Sequence, residues 1–108
     1  MRGSGPAHQA YDLGMSAYLI AEVVWKDDAA RQQYLAGFGR TLEPYGGRVA
    51  FAGPAENIEG DWHPALLALV EFGSLEQARA WYRSAEYATV KEFRHRGADS
   101  KIVLVGSA

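Results

Sequence analysis

Few side chains in this sequence are suited to chemistry: three histidines, two carboxylates set into apolar runs, and a group of aromatics at helical spacing. His63, held between Trp62 and Pro64, is the candidate general acid or base, because an unperturbed imidazole titrates near neutrality. Its plainer role is a surface-loop histidine. Trp62 is expected to be buried, closing the end of a barrel, with His63 reaching the mouth of a pocket. Asp61 suits the turn at Gly60-Asp61 better than it suits catalysis. Glu22 and Glu71 interrupt otherwise apolar strands. A buried carboxylate has a raised pKa and can act as a base, although Arg48, Lys101 or Arg79 could neutralise either one. Tyr34 can donate a hydrogen bond to a carbonyl or enolate oxygen. Phe38, Trp81 and Tyr82, with Tyr34 and Tyr87, read first as core and second as the wall of a pocket for a flat, apolar ligand. Arg48 and Trp62 complete the candidate substrate-binding set. Arg94-His95-Arg96 reads first as the basic end of a helix and second as a carboxylate site.

These residues must be positioned by a short series of elements. Ala17 to Trp25 alternates as a strand that is apolar on both faces apart from Glu22. An Asp in Lys26-Asp27-Asp28 caps a helix whose stripe is Tyr34, Leu35, Phe38 and Leu42, and Pro44 with Gly46-Gly47 ends it. Arg48 to about Glu59 is a second extended segment, and Gly53-Pro54 within it makes a bulge or an edge. Ala65 to Phe72 is too short for a helix and is apolar on both faces apart from Glu71, so it is a strand. Ser74 and Gln77 form a capping box before the stripe Leu75, Ala78, Trp81, Tyr82. Ser84 caps a further helical segment that stops at Gly97, and Lys101 to Val105 is the last strand.

The order β-α-β-β-α-β is that of the ferredoxin-like α+β fold, an antiparallel four-stranded sheet with its helices on one face. In the strand order 4-1-3-2, Glu22 and Glu71 fall at opposite ends of neighbouring strands and form no dyad. Because both faces of the strands are apolar, the face without helices needs a cover. A second copy of the sheet would supply it, giving a homodimer.

Composition narrows the classes. A net charge of −2 leaves no basic footprint for nucleic acid. The absence of cysteine excludes disulfides and thiolate metal sites. No apolar run approaches the roughly 20 residues of a membrane span. His8, His63 and His95 lie far apart, so no metal spacing appears. No Gly-x-x-x-x-Gly-Lys occurs, so no nucleotide cofactor is expected. Residues 1–14 are polar and aperiodic, opening on MRGS like an appended leader, and 15–108 form the single domain. A cytoplasmic location is the expectation.

YGGR at 45–48, EGDWHP at 59–64, LVEFGSLEQARAWYRSAEY at 69–87 and IVLV at 102–105 resemble the domain-of-unknown-function family 1330 (DUF1330) over roughly residues 16 to 106. That family is similar to the dimeric α+β barrel superfamily, which includes cofactor-free monooxygenases, muconolactone isomerases and haem-handling enzymes. The resemblance implies the fold and the dimer, and leaves the activity open. Where family members often carry an Arg before the glycine of the second strand, this chain has Ala52. The resemblance therefore implies a pocket less cationic and more apolar. Together the readings suggest a cofactor-independent enzyme acting by proton transfer on an apolar carbonyl, phenol or polyketide-like molecule, as an isomerase, cyclase or monooxygenase. His63 or Glu22 would be the base and Tyr34 the oxyanion donor. The alternative is a non-catalytic small-molecule binding or scaffold dimer.

Overall fold

The computed structural model describes residues 16–106, so the expectations for residues 1–14 and Met15 lie outside the described residues. The chain runs β1 (Ala17–Trp25), α1 (Asp28–Leu42), a 3-10 turn (Glu43–Tyr45), β2 (Arg48–Gly53), β3 (Leu67–Phe72), α2 (Leu75–Tyr82), α3 (Ala85–Gly97) and β4 (Ala98–Gly106). The strands form one antiparallel sheet in the order β2-β3-β1-β4. This is the expected α+β, ferredoxin-like arrangement, with the second helix divided in two.

The local chemistry sets the boundaries. Asp27 caps α1, its Oδ1 accepting from the Ala29 and Ala30 amides at 3.0 and 3.2 Å. Gly46 takes a positive φ of 68° to turn the chain into β2. Ser74 accepts from the Gln77 amide at 3.0 Å, and Ser84 accepts from the Tyr87 amide at 3.1 Å. Each serine therefore starts a new helix, which is why α2 and α3 are separate. Gly97 lets α3 end against α1, since a Cβ there would meet the Ala30 Cβ at 2.5 Å.

Two strand limits differ from the sequence reading. β2 stops at Gly53 rather than near Glu59, because Pro54 has no N–H to continue the ladder. It is an edge strand, and its irregularity falls between Val49 and Phe51 rather than at Gly53-Pro54. β4 begins at Ala98, directly after α3, three residues earlier than Lys101.

Alternation divides the sheet into two faces. Leu19, Ala21, Val23, Val70 and Phe72 pack with Tyr34, Leu42, Ala78, Trp81 and Tyr87 into the core beneath the helices. Tyr18, Ile20, Glu22 and Val24 of β1, with Leu67, Leu69 and Glu71 of β3, point to the other face. Exposed apolar residues continue that face on the edge strands: Phe51 is 50% and Val103 56% accessible.

Candidate functional site

The helix-covered face holds a partly open, strongly apolar cavity of about 300 Å³, at the small end of the range for ligand sites. Its floor is the inward row of β1 (Leu19, Ala21, Val23, Trp25), extended by Ala68, Val70 and Ile102 of the neighbouring strands. Its roof is Tyr34, Leu35 and Phe38 of α1, Trp81 and Tyr82 of α2, and Tyr87 and Arg94 of α3. Ala52, which stands where the family resemblance suggests an Arg, also lines it.

The aromatic wall is fixed by contacts at both ends. Trp81 is 1% exposed, lies 4.0 Å from Tyr87 and 5.9 Å from Phe38 between ring centroids, and donates its indole N–H to Thr41 Oγ1 at 3.0 Å. Tyr34 stacks on Phe38 at 5.3 Å. A buried indole with its N–H satisfied is rigid, so this wall is preformed.

Three side chains with polar ends, Tyr34, Tyr87 and Arg94, are among the residues that line the cavity. The Tyr34 and Tyr87 hydroxyls are hydrogen-bonded at 2.6 Å, and Arg94 Nε donates to Tyr87 Oη at 3.4 Å. Two hydroxyl protons are available and the bond between the tyrosines uses one. Whichever tyrosine donates, one O–H has no acceptor among the described residues and can donate to a ligand oxygen. Burial and then the adjacent Tyr87 push the Tyr34 pKa well above the usual tyrosine range. Tyr34 is thus a proton-bearing donor across the physiological range and not a base. Burial weighs against the charge on Arg94, but the Tyr87 and Tyr34 oxygens more than offset it, and the net shift is upward.

The sequence-selected residues separate into two groups. Tyr34, Phe38, Trp81 and Tyr82 come together in the cavity. Glu22, Arg48, Trp62 and His63 do not line it. Glu22 shares the parity of Tyr18 and Ile20, and so projects from the opposite sheet face, where Oε1 accepts the Trp62 indole N–H at 3.1 Å. Trp62, expected to be buried, is 55% exposed. The 54–66 loop is pinned by Asn57 Nδ2 donating to the Gly60 and Trp62 carbonyls at 2.8 and 2.7 Å, and this holds the indole against the open face and away from the cavity. His63 is exposed in the same loop, with Nε2 3.7 Å from Asp61 Oδ1. Arg48 pairs with Glu71, and the Tyr18 hydroxyl donates to the same carboxylate at 3.3 Å. Cross-strand register sets this cluster, since Tyr18 and Arg48 both oppose Glu71. Glu22 and Glu71 are four β1 positions apart, as expected.

The sequence signals Arg94 and Tyr87 only weakly as a site. The basic run 94–96 looks like a helix end, but only Arg94 of the three is buried. Its seven-residue spacing from Tyr87 places both on one face of α3, and that spacing was the available signal.

Among the described residues, no group of three or more His, Cys, Asp or Glu side chains could hold a metal ion. No helix there is long and apolar enough to cross a membrane.

No curated protein matches the chain. Among solved structures, it is similar to the RPA0582 protein of unknown function from Rhodopseudomonas palustris, with TM-score 0.70 and 16% identity over 96% of this chain and 95% of that one. It also resembles a protein provisionally named an antibiotic biosynthesis monooxygenase from Nitrosomonas europaea, with TM-score 0.56 and 14% identity over 87% and 91% of the two chains. A point variant of SnoaB, a cofactor-independent oxygenase from Streptomyces nogalater, aligns with TM-score 0.55 and 10% identity over 86% and 93%. At these identities the likeness is one of fold. The family model for the domain of unknown function DUF1330 matches residues 16–108, and the chain belongs to that family.

Proposed function

We propose that the helix-side cavity binds a small, largely apolar carbonyl compound or phenol and promotes its reaction without a cofactor. The observation that carries this is the Tyr34–Tyr87 hydroxyl pair, buried in an apolar cavity with one O–H lacking an acceptor among the described residues. Such a donor stabilises an oxygen that gains negative charge, as in an enolate or phenolate. Reactions that pass through such an ion include isomerisation, cyclisation and oxygenation by dioxygen. The similarity in fold to a cofactor-independent oxygenase agrees with this reading as an analogy.

A second reading, a non-catalytic binding protein, is favoured by one observation. No His, Asp or Glu is among the residues lining the cavity. A catalytic cavity of this kind relies on a substrate acidic enough to lose its proton to solvent, whereas a binding protein needs no base. In either reading the open sheet face is covered by a second copy of the chain.

The test is to incubate the protein with cyclic ketones and polycyclic phenols in D₂O. C–H exchange is followed by NMR and dioxygen uptake by electrode. The enzyme reading expects turnover that falls roughly 10²-fold in Tyr34→Phe or Tyr87→Phe, the usual scale for losing one oxyanion donor. Binding without exchange or oxygen uptake for any compound would leave the binding reading in its place.

A further inference from the structure

Arg94 is 4% exposed, yet its Nη2 has no hydrogen-bond partner among the described residues. A buried guanidinium is costly unless it is paired. Arg31, the other cation lining the cavity, is already held by Asp28 at 3.2 Å near the surface. Among the described residues, no carboxylate forms an ion pair with Arg94. Asp99 shares a shallow depression with it but is exposed and paired to Lys26 at 2.9 Å.

A second unpartnered atom lies in the same region. Ser100 Oγ is buried without a hydrogen bond and borders that depression beside Arg94. Register sets Ser100 opposite Val23 and Ile102 opposite Ala21, and Val23, Ala21 and Ile102 all line the cavity. Arg94, which lines the cavity, and Ser100, which borders the adjoining depression and not the cavity itself, thus lie where α3 meets β4. The spare tyrosine proton joins them through the bond from Arg94 to Tyr87.

We infer that the ligand is an anion, an aromatic or alicyclic body bearing one carboxylate, with Arg94 as its counter-ion. This rests on the cavity being the ligand site. It makes Arg94 the residue that determines which apolar molecules are accepted. A buried guanidinium with Nη2 left without a partner favours a carboxylate through charge-assisted hydrogen bonds over a neutral analogue that leaves the charge unbalanced.

The test compares 2-naphthoate with methyl 2-naphthoate, followed by calorimetry on the full chain. The acid is expected to bind about tenfold or more tightly than the ester, the scale of one charge-assisted bond. Arg94→Met should bring the ratio close to one, and Arg94→Lys should keep part of it. Should Arg94→Met fail to fold, the wild-type ratio and Arg94→Lys still decide. Equal affinity for acid and ester in the wild type would overturn the anion inference and leave the cavity reading standing. Failure of both compounds to bind would overturn both.

Discussion

On one side of the sheet, Leu19, Val70 and Phe72 are closed over by three helices and a small cavity remains between them. On the other side, among the described residues, Ile20, Leu69, Phe51 and Val103 lie opposite no helix, and the 54–66 loop folds back by way of Trp62 and Glu22. Both faces arise from the same strands, and both carry apolar rows. Their charges differ in kind. The open face carries the Arg48–Glu71 pair and Glu22 bonded to Trp62, so all three of these charged groups have partners within the chain. The covered face carries one cation with an unpartnered nitrogen. A surface with internally satisfied charges suits permanent burial against another copy. A cavity with an unsatisfied donor suits a ligand that comes and goes.

The largest effect should come from breaking the open face. Leu69→Asp places a charge at its centre and is expected to dissociate or unfold the protein, as light scattering and circular dichroism would show. A well-folded wild-type monomer at micromolar concentration would remove the reason for treating this face as an interface. Next in size, Trp81→Ala should cost about 3–5 kcal/mol in chemical denaturation, the range for deleting a large buried aromatic. Trp62→Ala should cost far less in a monomer, and a comparable loss would mean that a partner buries the indole.

A smaller effect concerns Tyr34. Its pKa is raised by burial and by Tyr87. Below a pH of about 10 both folded and unfolded chains keep the proton, and the stability is fully present. As the pH rises through that value the unfolded chain ionises first, so stability falls. Tyr34→Phe should flatten this alkaline decline in melting temperature, and an unchanged decline would place its origin elsewhere. The smallest effect is expected for His63→Ala, within about 0.5 kcal/mol of wild type and without effect on ligand affinity. A marked loss of affinity would return the 54–66 loop to the site.

The fold was legible because alternation, caps and turns are local signals. Asp27, Ser74 and Ser84 announce their helices from neighbouring residues alone. The site was half legible. Helical spacing grouped Tyr34, Phe38, Trp81 and Tyr82, and packing brings them together. Which face of β1 the helices cover was not local information, so Glu22 could not be assigned to the cavity or away from it by pattern alone. His63 and Trp62 drew attention by residue type, but the Asn57 hydrogen bonds that hold their loop outward involve backbone carbonyls that composition does not reveal. Arg94 was hidden by its neighbours, since His95 and Arg96 make the triplet look like a solvated helix end.

The three tryptophans provide the most direct test, because Trp25 and Trp81 line the cavity while Trp62 lies on the open face. Their indole N–H signals can be assigned by single substitution and followed by NMR during titration with 2-naphthoate. The expected result is movement of the Trp25 and Trp81 signals with a fixed Trp62 signal. Movement of Trp62 alone would place the ligand on the open face and contradict the assignment of function to the helix-side cavity.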